Sequence, residues 1–449
     1  MDRSPSSMPP LTRRQMFRLA TVGALGCSGS GWLGRLAAHA ADDPRRRKAC
    51  ILLWMSGGPS QIDTFDPKPG HANGGPFKPI QTSVPGILVG EHLPRVATEV
   101  KDLAIIRGMS TKEGDHTRAT YNLRTGYLPQ GPVRYPTLGS LVAKELEDQS
   151  AELPGFVSIS PVRAISPGAI SPGFLGPRYA PLIVGERTGG ARAAGRGAFR
   201  VEDLDLPTGI NSERADDRLG LMNSLASEFR ATRPGISPES HQDAYGRAVK
   251  MMRSPAAKAF ELEEESDSVR DAYGRHPFGQ GCLLARRLVE RGVPFVEVTL
   301  SGVDGRNVFG WDTHAQNFDA VKGLCGVLDA GWATLMTDLR ARGLLDDTLI
   351  VWMGEFGRTP KVNENAGRDH FPNAWSTVLA GGGIAGGRVI GDTGADGTEV
   401  RDRPVAVPDL LATVVKALGL DPMGQNVAEN GRPIRLVDST AKPIAEVLG

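Results

Sequence analysis

Asp312 and His314 stand two residues apart in Gly-Trp-Asp-Thr-His, and Asp369 and His370 are adjacent in Gly-Arg-Asp-His-Phe-Pro. Each pair joins an oxygen donor to a nitrogen donor, the mixture that a borderline divalent ion such as zinc or manganese accepts. An offset of two sends both side chains of an extended segment to one side, so Asp312 and His314 can act together. The adjacent Asp369 and His370 need a loop to converge. Between the pairs lies Met-Gly-Glu-Phe-Gly-Arg-Thr-Pro, which adds the carboxylate of Glu355 and the guanidinium of Arg358. A guanidinium can grip phosphate or sulfate through two parallel hydrogen bonds. A single Asp-x-His is more often a hydrogen-bonded loop pair than a metal site, so the weight rests on its recurrence.

The recurrence is at the ends of strands. Short apolar runs cover Ala49 to Met55, Leu103 to Arg107, Phe295 to Leu300 and Thr348 to Met353, and they alternate with helical patterns. That alternation predicts an α/β fold with a mainly parallel central sheet and helices on both faces. Polar residues follow each run: Ser56, Ser60, Asp63 and Asp66; then Asp115, His116, Thr117 and Arg118; then Asp312 and His314; then Glu355, Arg358, Asp369 and His370. Open α/β sheets build their sites in the crevice past the carboxyl ends of such strands. Three of the seven histidines after residue 40 lie in these loops.

Other elements frame that sheet. Leu138, Leu141 and Val142 share a helical face after Pro136, Gly-Phe-Val-Ser-Ile-Ser reads as a short strand, and a closing helix follows Pro408. Residues 161–267 are rich in Pro, Gly, Arg and Ala and are expected to form a loop-rich, partly helical insertion. Within it Ile-Ser-Pro-Gly occurs at Ile165 and again at Ile170, which predicts loop through residue 184. Leu219, Met222, Leu225 and Phe229 predict one apolar helix face.

With 40% hydrophobic and 23% charged residues among 449, the chain has an ordinary globular balance, and a net charge of +1 gives no field that points to nucleic acid or a membrane surface. Residues 1–40 are different. Arg13-Arg14 after Thr12, a moderately apolar stretch, and Ala38-His39-Ala40 resemble a twin-arginine export signal. The expectation is a signal over 1–40 read by the twin-arginine export machinery. One α/β domain over 41–449, without a transmembrane segment, would then lie in the periplasm or outside the cell. Cys27 follows Ala-Leu-Gly, a poor lipobox. Cys50, Cys282 and Cys325 remain after cleavage, an odd number that makes a weak disulfide framework; Cys50 and Cys325 read as core.

Taken together, ILLWMSGGPSQIDTFDPKPG, DHTRATYNLRTGY, GWDTH and GEFGRTP followed by GRDHFP resemble an exported bacterial family, domain of unknown function 1501. That family is similar in turn to the alkaline phosphatase and sulfatase superfamily, and the resemblance covers nearly the whole mature chain. It implies an alkaline-phosphatase-like α/β fold. It also implies a two-metal centre that stabilises both oxygens of a displacement at phosphorus or sulfur. The implied substrate is an anionic ester, for instance a sulfated or phosphorylated glycan.

The match is uneven. Ser56-Gly57 stands where the superfamily has Asp-Gly, with Asp63 a substitute further on. Glu355-Phe356-Gly357 replaces Asp-His-Gly, His370 matches a later single histidine, and Asp312 with His314 resembles an Asp…His pair at shorter spacing. The nucleophile's position falls at Gly114, ahead of a retained Thr117-Arg118 and Thr125-Gly126 frame.

The expected metal ligands are therefore Asp63, Asp312, His314, Glu355, Asp369 and His370, holding zinc or manganese, with calcium a further candidate. The expected catalytic residues are His116, Thr117, Arg358 and Ser56. His116 and Thr117 would orient substrate or water, Arg358 would hold the anion, and the backbone N–H groups of Gly57-Gly58 would face an oxyanion if they do more than turn the chain. Water polarised by the metal is the expected nucleophile. Trp311 and Trp375 either pack or stack on a sugar. The alternative is a catalytically silent cell-envelope protein that binds anionic or sulfated glycans in the same cleft.

Overall fold

The run Ala-Cys-Ile-Leu-Leu-Trp-Met has no polar residue and folds as a strand buried along its whole length, β1 (Ala49–Met55). Its alternate side chains serve two cores. Ile51, Leu53 and Met55 join one apolar cluster, and Cys50, Leu52 and Trp54 the other. A strand apolar on both faces can only sit inside a covered sheet. Truncating a side chain such as Leu53 to Ala would cost about 2–5 kcal/mol. The computed structural model describes residues 48–449 except 147, 149, 186–198, 200, 202, 203, 205, 207, 233–235, 304–308, 429 and 430. The export signal expected over 1–40 lies outside the described residues.

The main strands are β1, β2 (Leu103–Met109), β3 (Phe156–Ile159), β4 (Leu182–Val184), β5 (Phe295–Leu300) and β6 (Thr348–Met353). Then come β7 (Gly357–Arg358), β8 (His370–Phe371), β9 (Trp375–Ala380) and β10 (Arg388–Ile390). The helices are α1 (His116–Thr125), α2 (Leu138–Glu145), α3 (Ser212–Thr232), α4 (Ile236–Met252), α5 (Pro277–Glu290), α6 (Asn317–Ala341) and α7 (Val407–Ala417). Eight strands form the central sheet in the order β10-β2-β9-β6-β1-β5-β3-β4. Seven run in one direction, and β9 alone is antiparallel to both its neighbours. Apolar residues of α5 and α6 pack with one face of β1, and those of α1, α2 and α7 with the other. The chain thus has the expected α/β fold with a mainly parallel sheet between helices. No helix among the described residues is long and apolar enough to cross a membrane.

Two expectations are corrected. Leu182–Val184, inside the stretch read as loop, is the edge strand β4, paired with β3. Three residues at a sheet edge need only one line of backbone bonds, too weak a pattern to stand out beside the Pro-Gly repeats. In α3, Leu225 and Phe229 are 59% and 47% exposed, so the predicted apolar face is not buried along its length. Trp375 to Ala380 forms β9, which runs against both its neighbours. That reversal decides how the site is assembled.

Candidate metal centre

β1, β2, β5 and β6 all point their carboxyl ends to one edge of the sheet, and β9 begins there because it runs backwards. After β6 the chain stays at this edge. β7 pairs antiparallel with β8, His370 opposite Arg358, before the chain descends as β9. The motif at 369–370 therefore reaches the same edge as Glu355 by preceding a strand rather than following one.

Two close backbone approaches bring in the segment carrying Asp312 and His314. Gly57, at the end of β1, has φ +112°, and a Cβ there would lie 2.5 Å from the Asp312 nitrogen. A Cβ on Gly367 would lie 1.9 Å from the His314 carbonyl oxygen. The Arg368 N–H donates to the Thr313 carbonyl at 2.9 Å, the Gln316 N–H to Asn365 at 3.0 Å and the Asn317 N–H to Ala366 at 2.9 Å. Both Asp/His motifs are thus zipped together through their backbones. His116 opens α1, whose N-cap Asp115 accepts from the Arg118 N–H at 3.0 Å.

Three imidazoles meet here, and their neighbours decide their tautomers. His116 Nδ1 is 2.7 Å from Glu355 Oε1, His314 Nδ1 is 2.7 Å from Asp369 Oδ1, and His370 Nδ1 is 2.8 Å from the Gly114 carbonyl. Carboxylates and carbonyls only accept, so each Nδ1 carries the proton and each Nε2 is turned inward. All three Nε2 atoms face one atom, Asp312 Oδ1, at 3.4 Å from His116, 3.0 Å from His314 and 3.2 Å from His370. The Nε2 atoms of His314 and His370 are 3.1 Å apart.

Donor atoms of His116, Asp312 and His370 all lie within 4.8 Å of one another, a group able to hold a metal ion. His314 closes a tighter triangle from the solvent side. Its spacings of 3.0, 3.1 and 3.2 Å fall just under the roughly 3.3–3.4 Å edge of a tetrahedron with bonds of about 2.0–2.1 Å. Metal-binding histidines usually donate their outer N–H to a carboxylate or carbonyl while aiming the other nitrogen at the ion, which fixes the ring's tautomer and orientation. The donor set therefore fits a divalent cation.

The electrostatics agree. Three carboxylates, Asp312, Glu355 and Asp369, face one guanidinium, that of Arg358. Burial raises the Asp312 pKa, but the neighbouring His116 and His370 imidazoles and the Arg358 charge outweigh it and hold the group well below the usual carboxylate range. Burial lowers the His116 pKa, but Asp312 and Glu355 beside it push it up to about 9. The His314 hydrogen bond holds Asp369 low. The cluster calls for positive charge, which protons on imidazole or a divalent cation can supply. Glu355 Oε1 also accepts from the Gly57 N–H at 2.9 Å, while its Oε2 and His116 Nε2 are buried without a hydrogen-bond partner. The 3.4 Å approach of His116 to Asp312 is thus an ionic contact rather than a hydrogen bond.

His116, Asp312, His314, Glu355, Arg358, Asp369 and His370 come together, and their contacts divide them differently from the expected ligand set. Glu355 and Asp369, expected as ligands, each hold a histidine. His116, expected to orient substrate, presents a donor atom. Asp63 is withdrawn. Its carboxylate is fully buried and accepts from Arg368 Nε at 2.8 Å, Arg368 Nη2 at 3.1 Å and Asn317 Nδ2 at 2.8 Å. Arg368 was not singled out in the sequence. It also donates to the carbonyls of Asn73, Thr359 and Pro360, pinning the loop that carries Asp369 and His370.

Arg358 is no open anion clamp. Fully buried, it pairs with Asp312 Oδ1 at 2.6 Å and donates to the carbonyls of Gly57 and Gly58. Thr117 donates to the Ile165 carbonyl at 3.0 Å. Ser56 is buried at the end of β1, its backbone bonded to Leu300 and Trp311. The Gly57 N–H meets an anion, but it is the protein's own Glu355, and the Gly58 N–H bonds Met55. Trp311 and Trp375 are buried and pack, so neither can stack on a sugar. Cys50 and Cys325 are core, their thiols pushed up by burial.

No functionally curated protein matches the sequence. Among solved structures, a lipoteichoic acid synthase from Listeria monocytogenes is 9% identical over 87% of this chain and 74% of its own, with a TM-score of 0.40. A sulfatase from Pseudoalteromonas sp. is 12% identical over 90% and 76%, with a TM-score of 0.38. An alkaline phosphatase from the Antarctic bacterium TAB5 is 13% identical over 84% and 99%, with a TM-score of 0.35. Likeness at that level says nothing of activity. The profile of one family, proteins of unknown function DUF1501, matches residues 47–448, and the chain belongs to that family.

Proposed function

We propose that this protein is a metal-dependent hydrolase of phosphate or sulfate esters. One observation carries the reading: three imidazoles, each anchored through Nδ1–H, turn Nε2 to the same oxygen of Asp312. A zinc or manganese ion held by Asp312, His314 and His370, with His116 beside them, would supply Lewis acidity to an anionic ester. Glu355, Asp369 and the Gly114 carbonyl fix the ring orientations. Arg358 fixes Asp312 from behind and keeps it ionised. Because Arg358 faces inward, the ester's charge must be met by the cation and not by a guanidinium. Gly114 offers no side-chain nucleophile and Thr117 is tied to Ile165, so attack falls to water.

The ester class rests on the motif resemblance, with a sulfated or phosphorylated glycan as the example. A twin-arginine signal over 1–40, with a single domain over 41–449 delivered to the periplasm or beyond, belongs to the same reading. The missing nucleophile and the inward Arg358 favour a second reading, a silent protein that binds anionic glycans in this cleft.

Metal analysis of the purified protein, with p-nitrophenyl phosphate and p-nitrophenyl sulfate as substrates, tests the proposal. The loaded wild type should hydrolyse at least one ester, and His314→Ala and His370→Ala should lose both metal and turnover. A metal-loaded wild type that hydrolyses neither ester but binds a sulfated glycan would overturn the hydrolase in favour of the binding protein.

A further inference from the structure

The helix α3 runs for 21 residues, yet none of its described residues is buried or joins either apolar cluster. A helix of this length is marginal in water by itself, and packing of an apolar face is what holds most helices in proteins. α3 lies against α4. Its half-buried positions, Ala215, Leu219, Met222 and Ala226, recur at helical spacing on one face. A second stripe lies roughly 110° round the helix, at about 100° per residue. It consists of Arg214, Arg218, Leu221, Leu225, Glu228 and Thr232, all of them exposed. Leu221 and Leu225 at its centre are 63% and 59% exposed.

The steps along this stripe are four, three, four, three and four residues, the spacing of a coiled-coil seam. Its chemistry changes from end to end: two arginines, two leucines, then a carboxylate and a hydroxyl. A parallel copy in register would set Arg214 against Arg214 and Arg218 against Arg218, which like charge opposes. An antiparallel copy centred on Asn223 does the reverse. Leu221 and Leu225 lie two places either side of Asn223, and Arg218 and Glu228 lie five places either side. Leu221 of each copy is then level with Leu225 of the other, and Arg218 with Glu228. Arg214 comes level with Thr232, whose hydroxyl oxygen can accept from it. A two-fold interface demands such self-complementarity, because the same patch must meet itself.

We propose that the exposed stripe of α3 is a self-association surface, on which a second copy of this chain lays its own α3 antiparallel. Leu221 and Leu225 of both copies are buried at the two-fold axis, between two symmetry-related Arg218–Glu228 pairs. The seam is roughly 30 Å long at about 1.5 Å per residue. A single helix pair of that length stands at the small end of specific interfaces, so the dimer comes apart on dilution. The proposal takes nothing from the metal centre and does not depend on whether that site hydrolyses anything.

Sedimentation of the full chain over a dilution series tests it, with twice the chain mass expected at high concentration and the single chain on dilution. Leu225→Glu should give the single chain throughout. Arg218→Glu and Glu228→Arg each set like charges together at both symmetric pairs, and each should weaken the dimer at least about tenfold. Combining the two changes restores opposite charges and should restore the dimer. The three positions are exposed, so at high dilution every variant should melt as the wild type does. A wild type that stays a single chain, a dimer indifferent to Leu225→Glu, or a double charge variant no tighter than its two parents would each overturn the proposal. A single chain whose melting temperature falls with Leu225→Glu would also overturn it, and would mean that the chain covers the stripe itself.

Discussion

Replacing Asp63 by Asn separates a metal ligand from a buried strut. As a ligand, Asp63 would matter only to the bound ion, and the metal-free protein would tolerate the change. In the structure it is the fully buried partner of Arg368, meeting Nε at 2.8 Å and Nη2 at 3.1 Å. The amide keeps the shape and removes the charge, leaving a guanidinium in the interior without an anion. Breaking one half of a buried pair costs about 3–5 kcal/mol. The lower end applies here, because carbonyls of Asn73, Thr359 and Pro360 still accept from Arg368. Unfolding entropy is ~2.1 cal/mol/K per residue, so for roughly 400 residues a loss of ~3 kcal/mol lowers Tm by ~4 °C.

Scanning calorimetry should give that drop in EDTA as well as with zinc, while metal analysis returns the wild-type equivalents per chain. The double variant Asp63→Leu, Arg368→Met should recover part of the loss, since removing both charges leaves neither unpaired. A metal-free Tm equal to that of the wild type, together with loss of bound metal, would refute this account and restore Asp63 as a ligand.

Three further outcomes are expected. Glu355→Gln should weaken zinc binding about 10–100-fold, the usual effect of removing a carboxylate that orients a histidine; a competition titration with unchanged affinity would count against the His116–Glu355 pairing. Thr117→Ala removes one hydrogen bond, worth about 0.5–1.5 kcal/mol, and should leave substantial ester turnover, so complete loss, or a covalent adduct trapped on Thr117 in the wild type, would contradict attack by water. Arg13→Lys with Arg14→Lys should keep the precursor in the cytoplasm without changing its Tm, and normal export of the double variant would remove the twin-arginine reading.

What was legible in the sequence is whatever depends on local pattern. Short apolar runs such as Ala49–Met55 and Thr348–Met353 can be satisfied only inside a covered sheet, so the layer architecture and the edge carrying the site followed from hydrophobicity and chain order. The donor-rich motifs at 312–314 and 369–370 stood out as polar residues in the loops that follow buried strands. Their roles were not legible, because a role is set by what a side chain meets across space. Asp63 and Asp312 are both aspartates after apolar strands, yet one meets a buried guanidinium 305 residues away and the other meets three imidazoles. Arg358 reads as an anion clamp until the close turn at Gly57-Gly58 draws it inward. The reversed direction of β9 leaves no mark in its own composition, since a strand buried on both faces is equally apolar either way; only its pairing with β2 and β6 decides it, and through that pairing the place of His370.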